Sequence, residues 1–363
     1  MAPNIQALIE LLKMGIGNSV ECRIPDSVQW GKVVQIAQMQ GVGNVVLDGV
    51  EKSKVAGISK EVLLQWIAYT QQQENRYIMQ ERLIAELASF YQEHNIPMMV
   101  LKGWGLSLLY PKPNHRPYSD LDIYLFGKQK EGDAALEDCF KSLNVKEFKI
   151  DNSHHHHSVF VYKGLSVENH YDFVNVYSHS SNKKVEKRLK SLVKETPNVK
   201  VKVNGVEVWL PSPDFNALFL LRHAAAHFAG SEISLRQVVD WGVFMRQYHK
   251  QVDWDSLIPF IKEMNMHHFL GAINYICYQY LGFNKEIFDS CTDESFGERV
   301  FEDLFNPMHQ KSKVKGTVKY IYSRFRYWWS NRWKHRIVYS DSLLTTFLVQ
   351  FFAHLMKPAT LRN

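Results

Sequence analysis

Arg116-Pro-Tyr-Ser-Asp-Leu-Asp-Ile-Tyr-Leu-Phe126 is the stretch whose reading decides the fold. From Asp120 onward it is apolar or aromatic apart from two aspartates, and it reads as a buried strand. Strand side chains alternate between faces, so Asp120 and Asp122 point the same way. Two like charges side by side repel, and each loses hydration on burial. Packing gives no reason for such a pair, whereas a cage for a divalent cation does. Oxygen-only ligands on one rigid edge suit Mg²⁺ (or Mn²⁺), which keeps several waters and binds substrate phosphates. Taken alone, Asp-x-Asp also fits a solvated strand edge. The neighbouring segments decide between the two.

Ile96-Pro-Met-Met-Val-Leu101 is a short apolar run that reads as a strand. It stops at Lys102-Gly103-Trp104-Gly105, where the glycines permit close backbone approach and the lysine supplies charge. A short helix over Leu106–Tyr110 is expected next, then a Pro-rich loop, Arg116 and the Asp-Leu-Asp strand. In this order the chain resembles the nucleotidyltransferase superfamily typified by polymerase-beta-like enzymes. More closely it is similar to the group of uncharacterised nucleotidyltransferases. The matching residues are Leu101-Lys102-Gly103, Tyr110-Pro111, Arg116 and Asp120-Leu121-Asp122, within a region of likeness from about residue 30 to 260.

The resemblance implies an α+β fold, with a mixed β-sheet core flanked by helices and helical N- and C-terminal regions. It implies a third carboxylate on a later strand, best matched by Glu168 in Leu165-Ser-Val-Glu-Asn-His-Tyr-Asp172. Glu168 and His170 share a face by the period-two rule, and so does Asp172, the rival candidate. On this reading Asp120, Asp122 and Glu168 are the catalytic and metal-binding set. Lys102, Gly103, Arg116 and His170 face the nucleotide, an NTP is substrate, and Mg²⁺ or Mn²⁺ is the cofactor. Arginine suits the outer phosphates because it binds them bidentately. The superfamily usually has Gly-Gly or Gly-Ser at the turn, where this chain has Gly103-Trp104. The acceptor stays unidentified.

At 363 residues the chain can bury a large core, and its 45% hydrophobic and 22% charged fractions are those of a globular protein. Cys22, Cys139, Cys277 and Cys291 form no CxxC pair, which argues for a reducing compartment. The N-terminus lacks the pattern of a signal peptide, and no apolar run reaches the ~20 residues needed to span a bilayer. The expected location is cytoplasmic, with peripheral membrane contact possible through the basic segment described below.

Residues 1–95 read as a helical region, with helices at Ile5–Met14 and Trp30–Gln40, a break at Gly41-Val-Gly43, and a long helix over Lys60–His94. Ile67, Ile78, Leu83, Ile84 and Leu87 are its expected buried positions. Residues 96–210 read as the catalytic core, with a helix at Lys128–Leu143 and strands at Ser158–Tyr162, Leu165–His170 and Val199–Leu210. Asn204-Gly205 marks a hairpin in the last of these. Pro211-Ser-Pro213 begins a helical region over 211–300, expected to close the cleft, and 301–363 is a basic, aromatic helical region.

Three histidine-bearing features remain. The tract His154–His157 reads as a polar loop before a strand, because consecutive strand side chains alternate faces and four cannot meet one ion. The resemblance puts histidines near here, one of them facing the nucleotide. His223 and His227 are four apart and share a helix face. Ala224 stands where a zinc helix of the protease type needs its glutamate, so a catalytic zinc is disfavoured. The small residues between His223 and His227 fit close packing against another element; the resembling group has such a helix followed by Arg and Asp, matched by Arg236 and Asp240, which implies instead a wall of the nucleotide site. No clustered histidine–aspartate ligand set is visible, which disfavours a metal-dependent hydrolase.

From Lys311 to Arg336 there are nine Lys or Arg and no acid, against +6 for the whole chain. The basic residues alternate with Tyr and Trp, a pattern suited to nucleic acid, to an anionic membrane surface, or to aromatics packed on the body. Leu343–Met356 follows as an apolar helix too short to span. The alternative to the enzyme is a catalytically silent module on the same fold, binding RNA or an anionic membrane through residues 311–336.

Overall fold

The computed structural model describes residues 1–117, 119–145, 148–230, 232–288, 291–306, 326 and 329–346. They divide into two compact units, the first ending at Asn216 and the second beginning at Ala217.

The first unit opens with four helices, α1 (Pro3–Gly15), α2 (Trp30–Met39), α3 (Gly43–Ser53) and α4 (Lys60–Glu93). Proline at the first helical position starts α1, where its missing N–H is no loss. Gly41, at φ +65°, breaks the chain after α2 as expected. The backbone resumes helix at once, so α3 is an addition to the sequence reading. It lies against α1 with backbones nearly touching. A Cβ on Gly15 would sit 2.0 Å from the Val45 carbonyl oxygen, and one on Gly49 would sit 1.9 Å from that of Leu11.

Ser59 caps α4 by accepting from the Val62 N–H. Leu83, Ile84 and Leu87 are buried as expected, but Ile67 and Ile78 are 45% and 47% exposed. The buried stripe instead runs through Trp66, Thr70, Tyr77 and Gln80. Ile67 and Ile78 each stand one residue, roughly 100°, beyond it. Two polar residues belong to that stripe, and apolar spacing alone does not find it.

Six strands form one mixed sheet: β1 (Met99–Leu101), β2 (Asp120–Tyr124), β3 (His157–Tyr162), β4 (Leu165–His170), β5 (Val199–Val203) and β6 (Val206–Leu210), in the order β3-β4-β2-β1-β6-β5. β2 pairs with β4 in parallel, as β1 does with β6, while β1–β2, β3–β4 and β5–β6 are antiparallel. Asn204 and Gly205 both have positive φ, the geometry of a tight hairpin. The helix after the Lys102 turn is α5 (Gly103–Ser107), earlier than the Leu106–Tyr110 expected. Buried Trp104 holds it there through an Nε1 bond to Glu81 at 3.2 Å. α6 (Gln129–Ser142) follows β2, and α7 (Asn182–Glu195), unforeseen in the sequence, precedes β5.

Residue parity gives the sheet two unlike faces. Leu121, Ile123, Leu125, Leu165 and Val167 share a core with Leu83, Ile84 and Leu87 of α4 and Leu136 of α6. Asp120, Asp122, Glu168 and His170 take the opposite parity and the opposite face. The second unit is helical, with α9 (Leu235–Tyr248), α10 (Trp254–Glu263), α11 (His267–Gln279), α12 (Glu294–Phe305) and α13 (Arg332–Arg336). α8 (Pro213–Gly230) starts at the expected proline and carries the division between units. The fold is α+β, a mixed sheet with helices around it.

Gly49→Ala is expected to destabilise the protein by about 1–3 kcal/mol, because its methyl meets backbone that cannot yield. Gly31→Ala, in open space on α2, should be neutral or stabilising by up to ~1 kcal/mol. Urea midpoints of the two variants check this, and equal midpoints would show that α1 and α3 do not pack this closely.

Candidate active site

Register builds the site. The parallel pairing of β2 and β4 sets Asp120 beside Ser166, Asp122 beside Glu168 and Tyr124 beside His170. Paired strands lie about 4.8 Å apart, so the Asp122 and Glu168 carboxylates become neighbours on one face. β3 extends the row, with His157 opposite His170 and Val159 opposite Glu168.

One ligand atom each from Asp122, Glu168 and His170 lies within 4.8 Å of the others. Lys102 Nζ is 2.8 Å and His170 Nε2 3.0 Å from Asp122 Oδ1. Glu168 Oε2 lies 3.7 Å from His170 Nε2 and 3.7 Å from His157 Nδ1. The other nitrogen of His170 donates to the Asp172 carbonyl at 3.1 Å, which fixes the ring. Burial works against the charge of His170, but its bonds to Asp122 and Glu168 win and raise its pKa to about 9. Burial likewise opposes the ionised Asp122, yet the Lys102 charge and the His170 hydrogen bond hold it well below the carboxylate range. Burial and the Asp122 charge oppose the ionised Glu168, but its contact with His170 and the charges of His157 and Lys102 together lower its pKa.

Lys102 reaches Asp122 from a backbone of φ +45° and ψ −126°, a conformation that favours glycine. Such positions cost of order 1–3 kcal/mol and persist where the side chain is needed. At Gly103, by contrast, a Cβ would meet nothing nearer than the Asp120 carbonyl oxygen at 3.8 Å, so packing within the chain does not require glycine there.

The other expected site residues are placed as follows. Asp120 shares the face of Asp122 but lies outside the three-residue group, and its carboxylate accepts from the Ser119 hydroxyl. The rival Asp172 is ion-paired with Lys190 of α7. Arg116 is buried and donates to the Pro117 carbonyl at 3.4 Å. His223 and His227 belong to the second unit, with ring centroids 4.5 Å apart on α8, and among the described residues neither is in a three-residue group.

Two clusters went unread in the sequence. The loop before β2 is clamped by His115, whose Nδ1 lies 2.8 Å from Asp48 of α3 and whose Nε2 lies 3.0 Å from Glu74 of α4. Lys112 meets Asp48 as well, at 2.6 Å. The legible signal was a lone acid, Asp48, inside the apolar run Val45–Val50. The second cluster corrects the reading of His154–His157 as only a polar loop. His157 is the first residue of β3, and His156, His157 and His170 bring ring nitrogens within 4.8 Å of one another. Burial foremost lowers His156 to about 2 and His157 to about 4, aided by the charge of His170. A clustered histidine–carboxylate set, absent from the linear sequence, thus exists in three dimensions. Two carboxylates and three imidazoles are donors that suit a divalent cation.

Of the basic segment, residues 311–325, 327 and 328 lie outside the described residues, as does the apolar helix beyond Thr346. Its described end is packed within the second unit: Lys334 is buried and paired with Asp303 at 2.5 Å, and Trp333 lies under Arg299. Trp333 and Lys334 are thus core, whereas Arg326, Trp329 and Arg336 are exposed. Among the described residues no helix is long and apolar enough to cross a membrane.

The chain belongs to the uncharacterised nucleotidyltransferase family, whose profile matches residues 26–282. Among solved structures it is similar to the crystal structure of an antigenic nucleotidyltransferase-like protein from Paracoccidioides brasiliensis, at 15% identity and a TM-score of 0.32, covering 50% of this chain and 87% of that one. No curated protein matches the chain.

The His115 clamp predicts a pH dependence. Burial disfavours its charged form, but the bonds to Asp48 and Glu74 dominate and raise its pKa above 6.5. Its contribution to stability is therefore complete below that pH and fades as pH rises through the raised folded value. His115→Gln should cost about 1–3 kcal/mol near pH 6 in urea unfolding, with the gap narrowing toward alkaline pH. A gap that is constant or widens with pH contradicts a charged clamp.

Proposed function

We propose that this member of the family is a metal-dependent nucleotidyltransferase, moving a nucleoside monophosphate from an NTP to a hydroxyl-bearing acceptor with release of pyrophosphate. The observation that carries the reading is the pairing of Asp122 with Glu168 across β2 and β4, offset by Lys102 and His170. A buried acid beside a half-buried one, with a lysine on a strained turn, is costly for stability and suited to phosphate chemistry.

Asp122 and Glu168 are the donors we assign to Mg²⁺ or Mn²⁺, with Asp120, two residues away on the same face, as the third carboxylate. Bound there, the cation supplies charge neutralisation on the phosphate oxygens and polarises the α-phosphorus. The protein's own part is positioning and charge. Lys102 and Arg116 hold the outer phosphates, and the open backbone side of Gly103 lets them approach. The acceptor oxygen bonds to the α-phosphorus as the bond to the pyrophosphate oxygen breaks, and the hydroxyl proton passes to Glu168. His170 orients Asp122 and Glu168 through Nε2.

The test needs no knowledge of the acceptor. Each NTP is incubated with the protein and Mg²⁺, with and without cell extract, and pyrophosphate is followed. Asp122→Asn is expected to slow release by about 10²–10³-fold with unfolding midpoints preserved to within ~1 kcal/mol. Asp120→Asn should slow it as well. Release by the Asp122 variant at the parental rate would sink the assignment, and absence of release with every NTP would favour the silent module.

A further inference from the structure

Of the histidine cluster beside the carboxylates, His156 and His157 have no task in the reaction above. His157 and His170 meet because β3 and β4 are antiparallel neighbours in a register that sets them opposite one another. His156 precedes the strand and escapes its alternation. Its carbonyl accepts from both Tyr171 N and Asp172 N at 3.1 Å, and this fold of the backbone turns its ring to the same side. Ring centroids are 4.2 Å apart for His156–His157, 5.2 Å for His157–His170 and 5.6 Å for His156–His170. His155 turns to the Tyr177 ring, while His154 stacks on His157, ring centroids 4.8 Å apart, with its Nε2 3.6 Å from Asp151.

The surroundings argue against ordinary packing. His157 is 6% exposed and His170 2%. The Nδ1 atoms of both His156 and His157 are buried with no hydrogen-bond partner. Each such atom costs roughly 1–3 kcal/mol, and two in one cluster are rare in a core. A bound cation accepting their lone pairs removes that cost. The ligand-supporting contact is present too, since His170 donates Nδ1–H to the Asp172 carbonyl and so aims Nε2 inward; the cation takes the place of the Nε2 proton, which leaves to solvent, and Asp122 keeps its ion pair with Lys102. Glu168 Oε2 lies 3.7 Å from His157 Nδ1 and 3.7 Å from His170 Nε2. Donors around a tetrahedral Zn²⁺ with bonds of ~2.1 Å stand about 3.4 Å apart, so small rotations close the shell.

We propose that His156, His157 and His170 bind a transition-metal cation of the Zn²⁺ class, with Glu168, one of the two carboxylates assigned to Mg²⁺, as a fourth donor shared between the two sites. Imidazole nitrogens select such ions, whereas Mg²⁺ takes oxygen. The site does not depend on nucleotidyl transfer, and it is read without nucleotide.

The full-length protein, stripped with chelator and dialysed, is titrated with ZnCl₂ by calorimetry in excess Mg²⁺. One Zn²⁺ per chain is expected, and His156→Gln/His157→Gln should weaken it at least ~100-fold. His223→Gln/His227→Gln should leave it unchanged, as should Asp122→Asn to within ~10-fold. Zinc-edge absorption of the loaded protein should report about three nitrogen donors. Circular dichroism and thermal midpoints of the glutamine variant verify folding, and the absorption spectrum of the parent gives a readout independent of any variant. Equal Zn²⁺ affinity in parent and variant, loss of the site on changing His223 and His227, or a shell of oxygen donors alone would each overturn the proposal.

Discussion

The arrangement turns on a repulsion. Asp122 and Glu168 sit beside each other on adjacent strands, largely withdrawn from water. At roughly 5 Å, and at the effective dielectric of about 20 that suits protein interiors, two such charges oppose folding by about 3 kcal/mol. Lys102 and His170 make that tolerable, each within 3.0 Å of Asp122 Oδ1. The compensation has a structural demand of its own. Lys102 must stand at the end of β1 in a conformation better suited to glycine, and His170 must be held by the Asp172 carbonyl. The charged face of the sheet is organised around keeping those acids ionised.

The remainder of the first unit supplies the rigidity this needs. The odd-numbered residues of β2 bury themselves against α4 and α6, which leaves the even-numbered ones no freedom to change face. The loop carrying Arg116 is fastened to α3 and α4 through His115, Asp48 and Glu74. α3 is in turn pressed against α1 through two glycines that no other residue could replace without moving backbone. α4 thus supports the site directly, and α3, backed by α1, reaches its loop through a short polar clamp.

Much of this was legible. Period-two alternation in Asp120–Tyr124 and Leu165–His170, helical spacing in α1, α2 and α4, and the Asn204-Gly205 turn all reflect local backbone preference. A linear chain carries such preferences openly. The failures are as instructive. Ile67 and Ile78 were expected inside because they are apolar, but Thr70 and Gln80 occupy the buried stripe. Buried Trp333 fits the expected alternative of aromatics packed on the body, but Lys334 was read as basic surface, whereas Asp303 draws it into the core of the second unit. In both cases a partner distant in sequence decided burial, and hydropathy counts no partners.

The sequence by itself determined that Asp120 and Asp122 share a face, that Glu168 and His170 share another stretch of one, and that a charged turn precedes them. Those are consequences of strand geometry within a single segment. It did not determine that Asp122 would stand beside Glu168 while Asp120 stood beside Ser166, or that His156 and His157 would close on His170. Both follow from register, which is settled by the burial of whole strands against α4 and α6. A slip of one residue would have sent every one of these side chains to the apolar face.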